Sequence, residues 1–119
     1  MDYEKKYIEL VKNYFDQFSK KNIAALEEMF SDNITLRDWN FKGNNKNEVL
    51  EINKKIFENA NKIDVKPLSL WIIIDKDFKG ATIFADLKIE DENGNFSLVL
   101  DIITFKSHKI TSITAYKGN

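Results

Sequence analysis

Apolar residues in the first half of the chain recur at the spacing of α-helices. From position 3 to position 19 they return every three or four residues, which places them on one helical face. The same period predicts a second helix over residues 22–30 and a third over residues 46–60. Asn22 and Asn45 stand at the starts of these two segments, where a side-chain oxygen can accept a hydrogen bond from the first turn.

From about position 63 the pattern changes to that of β-strands. Residues 68–74 are nearly all apolar, as in a strand that is covered on both faces. Earlier in the chain, residues 34–39 form a short predicted strand after a break at 31–33. Three more strands are predicted over residues 82–89, 97–106 and 109–117. This order predicts a single α+β domain spanning residues 1–119, with an antiparallel-rich sheet and the helices on one face.

The composition removes several classes of chemistry. The 119 residues contain no cysteine and one histidine, His108, which excludes disulfides, thiolate nucleophiles and histidine clusters. A net charge of −1, with basic residues spread among acids, gives no footprint for nucleic acid. The sequence also shows no membrane-spanning stretch, no metal motif and no cofactor motif. We therefore expect a cytoplasmic protein, without a cofactor, a metal or a membrane partner, that works with carboxylates, tyrosines and lysines.

Three polar residues stand where the chain otherwise builds apolar faces. Tyr14 lies in the apolar stripe of the first helix, and Asp38 ends the first strand on the same side as its apolar residues. Asp101 lies between Val99 and Ile103 on one face of a later strand. A carboxyl group in such surroundings is costly unless it is paired, hydrogen-bonded or protonated, so we expect a raised pKa for Asp101. Tyrosine and carboxyl groups with adjusted protonation also suit proton transfer next to a carbonyl.

Each of these residues also has a structural explanation. Tyr14 can be a core residue whose hydroxyl reaches a backbone carbonyl. Asp38 can cap a turn at the end of its strand or face water. Asp101 can form a hydrogen bond to Tyr14 or to Tyr116 that serves only stability. Arg37, the only arginine, is turned away from Asp38 by strand alternation and suits a surface ion pair.

The order of these residues resembles a known pattern. Tyr14 is followed by a helix ending at Phe30 and by a strand ending at Asp38, 24 residues after the tyrosine (38 − 14). Asp101 stands four residues before Phe105, ahead of the final strand pair. This pattern resembles the nuclear transport factor 2-like (NTF2-like) superfamily, specifically its ketosteroid isomerase and SnoaL-like branch. The resemblance implies a cystatin-like roll, in which a curved sheet wraps around helices to form a cone with an internal pocket.

The resemblance also implies a mechanism and a form of assembly. Asp38 would be the general base that moves a proton between carbons, while Tyr14 and a protonated Asp101 would donate hydrogen bonds to the enolate oxygen. The substrate would be a small apolar or carbonyl-containing molecule, and the protein would be a homodimer. A non-catalytic ligand-binding domain or a protein-interaction domain is the alternative. The residues expected to line the pocket beside the three catalytic candidates are Phe18, Phe30, Trp39, Phe57, Phe84, Val99, Ile103 and Tyr116.

Overall fold

The computed structural model describes residues 2–118, which form three helices and one six-stranded sheet. The helices are α1 (Tyr3–Ser19), α2 (Ile23–Met29) and α3 (Lys46–Glu58). The strands are β1 (Phe30–Arg37), β2 (Lys42–Gly43), β3 (Asp64–Ile74), β4 (Gly80–Glu90), β5 (Phe96–Lys106) and β6 (Lys109–Lys117). The α+β class and the three predicted helices are confirmed.

Side chains fix the beginnings of the helices, as their positions in the sequence predict. Asn22 Oδ1 accepts a hydrogen bond from the backbone N–H of Ala25 at 3.1 Å, and Asn45 Oδ1 accepts one from Glu48 at 2.9 Å. The Glu48 carboxylate reaches back to accept the N–H of Asn44 at 2.8 Å, in an arrangement similar to a capping box. Within residues 2–118, no helix has the length and apolar character needed to cross a membrane.

The strands are arranged in the order β2-β1-β6-β5-β4-β3. All neighbouring pairs are antiparallel except β1 and β6, which run parallel. The predicted hairpin at residues 92–95 joins β4 to β5, and Gly94 takes the positive φ of 79° that this turn requires. Residues 97–117 form the last two strands and their connection and contain no helix, which agrees with the predicted fold.

The beginning of the sheet differs from the prediction. β1 starts at Phe30, directly after α2, so the predicted break at residues 31–33 is part of the strand. Ser31, Asp32 and Asn33 are three consecutive polar residues where the pairing of β1 with β6 is irregular, which is why they read as a break. β1 also ends at Arg37, and Trp39 therefore lies in the connection to β2.

β3 is an edge strand whose outer side is open in the single chain. Leu68, Trp71 and Ile73 are each more than half exposed, at 54%, 56% and 59%. The prediction that residues 68–74 are covered on both faces is therefore wrong for one chain. A long apolar run looks the same in sequence whether the second layer comes from the same molecule or from a partner.

The helices and the inner face of the sheet enclose the core. The core contains Tyr7, Val11 and Phe15 of α1, and it continues through the inward residues of β4, β5 and β6. Only alternate residues of each strand take part, since successive side chains point to opposite faces. The layer between helices and sheet is incompletely filled at one end, and the candidate site lies there.

Candidate functional site

A cavity of about 420 Å³ lies between the helices and the inner face of the sheet. α1, α3, β1 and strands β3 to β6, together with their connections, all contribute to its wall. The wall is mainly apolar, and the exposed residues Trp39, Asn40, Lys62 and Phe96 mark its opening. Farther inside, the apolar lining consists of Phe15, Phe18, Leu36, Ile56, Ile63, Val65, Leu87, Val99, Ile113 and Ala115. A mainly apolar pocket of this size can hold a small organic molecule.

Tyr14 enters the cavity from α1. Its side chain is 4% exposed and is surrounded by the rings of Phe15, Phe18 and Phe30, with ring centroids 5.4, 6.1 and 6.3 Å away. Burial raises the pKa of the Tyr14 hydroxyl, and the nearby carboxyl of Asp101 raises it further. No hydrogen bond joins this hydroxyl to any side chain or backbone group within residues 2–118. Tyr14 is therefore a neutral donor without a protein partner.

Asp101 enters from β5, where it lies beside Ala85 on β4 and Ala115 on β6. The small neighbours leave space above the carboxyl group, and that space is part of the cavity. Burial raises the pKa of Asp101 to about 7, with a further contribution from the charge of Asp38. The protonated form of Asp101 is therefore accessible near neutral pH, and it can donate a hydrogen bond to a ligand oxygen.

Asp38 lies one residue beyond β1, at the side of the cavity where the chain turns toward β2. Its Oδ1 accepts hydrogen bonds from the backbone N–H groups of Asn40 at 2.7 Å and Phe41 at 2.6 Å. The carboxylate therefore caps this turn, as one of the structural explanations predicts, and it also lines the cavity. Its other oxygen, Oδ2, has no hydrogen-bond partner within the described part of the chain.

The structure brings the three polar residues to one cavity from a helix, a strand end and a central strand. Tyr14 and protonated Asp101 are donors that can stabilise negative charge on a ligand oxygen in mainly apolar surroundings. The charged carboxylate of Asp38 is an acceptor that can take a proton from a ligand carbon. This set of groups is suited to proton transfer next to a carbonyl and contains two donors without protein partners.

The predicted pocket residues divide into two groups. Phe18, Trp39 and Val99 line the cavity. Phe84 and Tyr116 do not, because strand alternation turns them to the outer face of the sheet. Tyr116 is 51% exposed, and its hydroxyl accepts a hydrogen bond from Arg37 at 3.2 Å. The expected surface ion pair of Arg37 is thus replaced by this contact.

Phe30, Phe57 and Ile103 also need correction, because they are buried behind the cavity wall. Phe57 packs edge-on against Phe18 at a centroid distance of 4.9 Å, so it supports a lining residue without reaching the space itself. Phe30 supports Tyr14 in the same way. Ile103 is fully buried farther along β5, two positions beyond Asp101. Sequence pattern shows that these residues are internal, but it cannot separate the core from the cavity wall.

The sequence interpretation missed Asn53. This residue lies on α3, is 1% exposed and lines the cavity. Neither atom of its carboxamide has a hydrogen-bond partner within residues 2–118. The signal was present in the sequence, because Asn53 stands four residues after Val49 and three before Ile56, within the apolar stripe of the third helix.

Lys62, Glu90 and Asp91 are further charged residues that line the cavity. Glu90 lies between Lys88 at 3.2 Å and Lys66 at 3.3 Å. The hydrogen bonds from these two lysines lower the pKa of Glu90. Glu90 is thus balanced by its own ion pairs, and Asp91 Oδ1 accepts hydrogen bonds from the backbone N–H groups of Asn93 and Asn95.

Comparison with known proteins identifies the family to which this chain belongs. The model of the SnoaL-like domain family matches residues 8–104. None of the curated proteins matches the chain. Among solved structures, nuclear transport factor 2 from Cryptosporidium parvum is 10% identical, with a TM-score of 0.80 and coverage of 92% of this chain and 90% of that one.

Two further structures have names that refer to enzymes. A candidate polyketide cyclase from Sinorhizobium meliloti is 20% identical, with a TM-score of 0.68 and coverage of 90% of this chain and 93% of that one. A candidate isomerase of the SnoaL-like family from Agrobacterium tumefaciens is 7% identical, with a TM-score of 0.71 and coverage of 94% and 97%. At such identities the likeness shows the fold alone. Since the family model takes in most of its residues, the chain belongs to the SnoaL-like domain family and has the NTF2-like fold.

Proposed function

We propose that this protein binds a small apolar molecule with a carbonyl group in the cavity and moves a proton next to that carbonyl. The reaction would be an isomerisation or an aldol-type cyclisation. Asp38 is the general base, and Tyr14 and protonated Asp101 donate hydrogen bonds to the carbonyl oxygen as it becomes an enolate. Proton transfer next to a carbonyl requires these roles, because the base must reach a carbon atom while the donors reach the carbonyl oxygen.

One observation carries the proposal. Tyr14 and Asp101 are buried donors that have no hydrogen-bond partner within residues 2–118, and they share a mainly apolar cavity with the carboxylate of Asp38. Residues with a purely structural role normally satisfy their own hydrogen bonds when they are buried. Two such groups on one cavity are better explained by a ligand oxygen that accepts a hydrogen bond from each of them. The names of the isomerase and cyclase neighbours are consistent with this class of reaction.

The proposal is tested by deuterium incorporation into 2-tetralone, a small bicyclic ketone with exchangeable hydrogens next to the carbonyl. NMR in D2O would follow the exchange with and without the protein. Asp38→Asn should reduce the protein-dependent rate about 100-fold or more, as expected for loss of a general base. Binding of the ketone should persist, because an asparagine oxygen can still accept the turn hydrogen bonds from Asn40 and Phe41.

Asp86→Asn is the matched control. Asp86 lies on β4 in register with Leu100 and faces away from the cavity. Its replacement should leave both exchange and binding unchanged. If the wild-type protein binds 2-tetralone but does not accelerate exchange, the catalytic proposal fails for this class of ketone. If Asp38→Asn exchanges as fast as the wild type, the assignment of the base is wrong.

A second candidate function is ligand binding without catalysis. The observation in its favour is the turn at Asp38, where Oδ1 is already occupied by two backbone donors. A carboxylate held in this way could serve structure while Tyr14 and Asp101 hold a ligand oxygen. Binding of 2-tetralone without exchange, unchanged in Asp38→Asn, is the result that favours this second function.

We also propose that the active form is a homodimer built on the outer face of the sheet. Trp71, Phe84 and Ile102 are in register across β3, β4 and β5 and form an apolar band on that face. A two-fold axis through this outer-face band would bring it against its own copy and close the interface. The small net charge of −1 adds little repulsion between the copies.

A further inference from the structure

Asn53 is a buried residue of the cavity wall whose amide has no hydrogen-bond partner within the described residues. The side chain is 1% exposed, and both its oxygen and its nitrogen lack a hydrogen bond within residues 2–118. Because both atoms are unpaired, exchanging the positions of the amide oxygen and nitrogen does not change this conclusion. Burying such a group without a partner opposes folding, so its presence on the wall requires an explanation.

The position of Asn53 on α3 explains why it cannot find a partner in the protein. Ile56 lies one turn farther along the same side of α3, Ala60 follows just beyond the end of the helix, and both line the cavity. Val49, one turn earlier on this side, and its neighbour Ile52 pack closely against Gly43, which leaves little space between α3 and β2. Asn53 is therefore part of the cavity wall, among apolar neighbours.

We propose that Asn53 binds a second polar group of the ligand, so the cavity selects a molecule with two oxygen functions. One is the carbonyl that meets Tyr14 and Asp101, and the other is a hydroxyl, carboxyl or amide group placed to meet Asn53. This inference rests on the proposed function and specifies its substrate class further. An amide both donates and accepts, and a hydroxyl group can serve either of its two atoms.

Specificity follows from the cost of leaving the amide unpaired. A ligand that lacks the second polar group would displace any water from Asn53 and supply no replacement hydrogen bond. A ligand that carries it would regain that bond in an apolar environment. Sites that are built to form a hydrogen bond discriminate strongly against analogues that cannot form it.

The test uses 2-naphthol and a set of dihydroxynaphthalenes that differ only in the position of the second hydroxyl. The ionised naphthol oxygen resembles an enolate oxygen, so 2-naphthol probes Tyr14 and Asp101 without needing Asn53. Affinities are measured by fluorescence titration for the wild type and for Asn53→Leu and Asn53→Ala. Asn47→Leu is the matched control, because Asn47 is exposed on the same helix and lies outside the cavity.

At least one dihydroxynaphthalene should bind the wild type about tenfold more tightly than 2-naphthol does, as expected for one added hydrogen bond. That gain should disappear in both Asn53 variants and persist in Asn47→Leu. The melting temperature of ligand-free Asn53→Leu should be equal to or higher than that of the wild type, since no hydrogen bond is lost.

Two results would overturn the inference about Asn53. One is that no dihydroxynaphthalene gains affinity over 2-naphthol, and the other is that the gain survives in both Asn53 variants. Neither result affects the donors, because binding of 2-naphthol and its loss in Tyr14→Phe report on those separately. If 2-naphthol itself fails to bind, the proposed function and the inference that rests on it both fail.

Discussion

The carboxyl group of Asp101 is buried on the cavity that also receives Asp38, and the two groups are electrostatically linked. Burial, together with the negative charge of Asp38, raises the pKa of Asp101 from its ordinary 3.8 to about 7. The two carboxyl groups thus differ in function. Asp38 is a charged acceptor at the turn, and Asp101 on the central strand can hold a proton near neutral pH.

This shift predicts that Asp101 destabilises the folded protein as the pH rises. Below about pH 4, Asp101 is protonated in both the folded and the unfolded chain. Between about pH 4 and pH 7 the unfolded chain loses the proton first, so the free energy of unfolding falls as the pH increases. The full loss is about 4 kcal/mol, at 1.36 kcal/mol per unit of pKa shift.

Urea denaturation at pH 4.5 and pH 8 would measure this effect. The wild type should lose more stability than Asp101→Asn over this interval, because the asparagine side chain does not titrate. Asp86→Asn, which removes a carboxylate outside the cavity, should follow the wild type. Parallel pH profiles for the wild type and Asp101→Asn would show that Asp101 titrates as an exposed aspartate does.

Tyr14→Phe should separate ligand binding from stability. The Tyr14 hydroxyl has no partner within residues 2–118, so its removal should change the free energy of unfolding by less than about 1 kcal/mol. The affinity for 2-naphthol should fall about tenfold, because one of the two donors to the ligand oxygen is lost. Chemical denaturation and fluorescence titration give the two values. A large loss of stability without a loss of affinity would assign Tyr14 a structural role.

The sequence predicted the helices well because local rules determine them. The capping residues Asn22 and Asn45 and the apolar period fix where α2 and α3 begin. Strand alternation likewise placed Asp38 and Asp101 on inward faces. The alternation also turns Phe84 outward, so that part of the pocket prediction contradicted a rule already available in the sequence.

Other features depend on contacts that no local pattern contains. Phe57 and Val99 are both apolar and internal, yet only Val99 reaches the cavity, because the space depends on how whole elements pack. The unpaired state of Asn53 is likewise a property of its surroundings. The exposed side of β3 depends on whether a second chain is present, and the sequence of one chain is the same in either case.

Lys21 should stabilise the wall of the cavity at the end of α3. Its Nζ donates hydrogen bonds to the backbone carbonyls of Phe57, at 3.0 Å, and of Ala60. The ammonium group also lies at the negative end of the α3 dipole. Lys21→Met should therefore lower the free energy of unfolding by about 1–3 kcal/mol, the range for hydrogen bonds to charged groups.

The neighbouring Lys20 provides a control for this change. Lys20 forms an exposed ion pair with Asp16 at 2.9 Å within the same helical segment. Lys20→Met should cost less than about 0.5 kcal/mol, as for other exposed pairs on a helix. Urea denaturation compares the two variants. Equal effects would mean that Lys21 contributes only through surface charge and does not secure the end of α3.

The outer-face band should determine the oligomeric state. Trp71 is 56% exposed in the single chain, in register with Phe84, and a glutamate in its place would bring two like charges together at the two-fold axis. We expect light scattering to give a dimer of the 13.9 kDa chain for the wild type at micromolar concentration and a monomer for Trp71→Glu. Phe78→Glu is the matched control, because Phe78 is equally exposed, at 56%, but lies in the turn between β3 and β4. That variant should remain a dimer. A monomeric wild type would refute the homodimer and leave the outer-face band without the partner proposed for it.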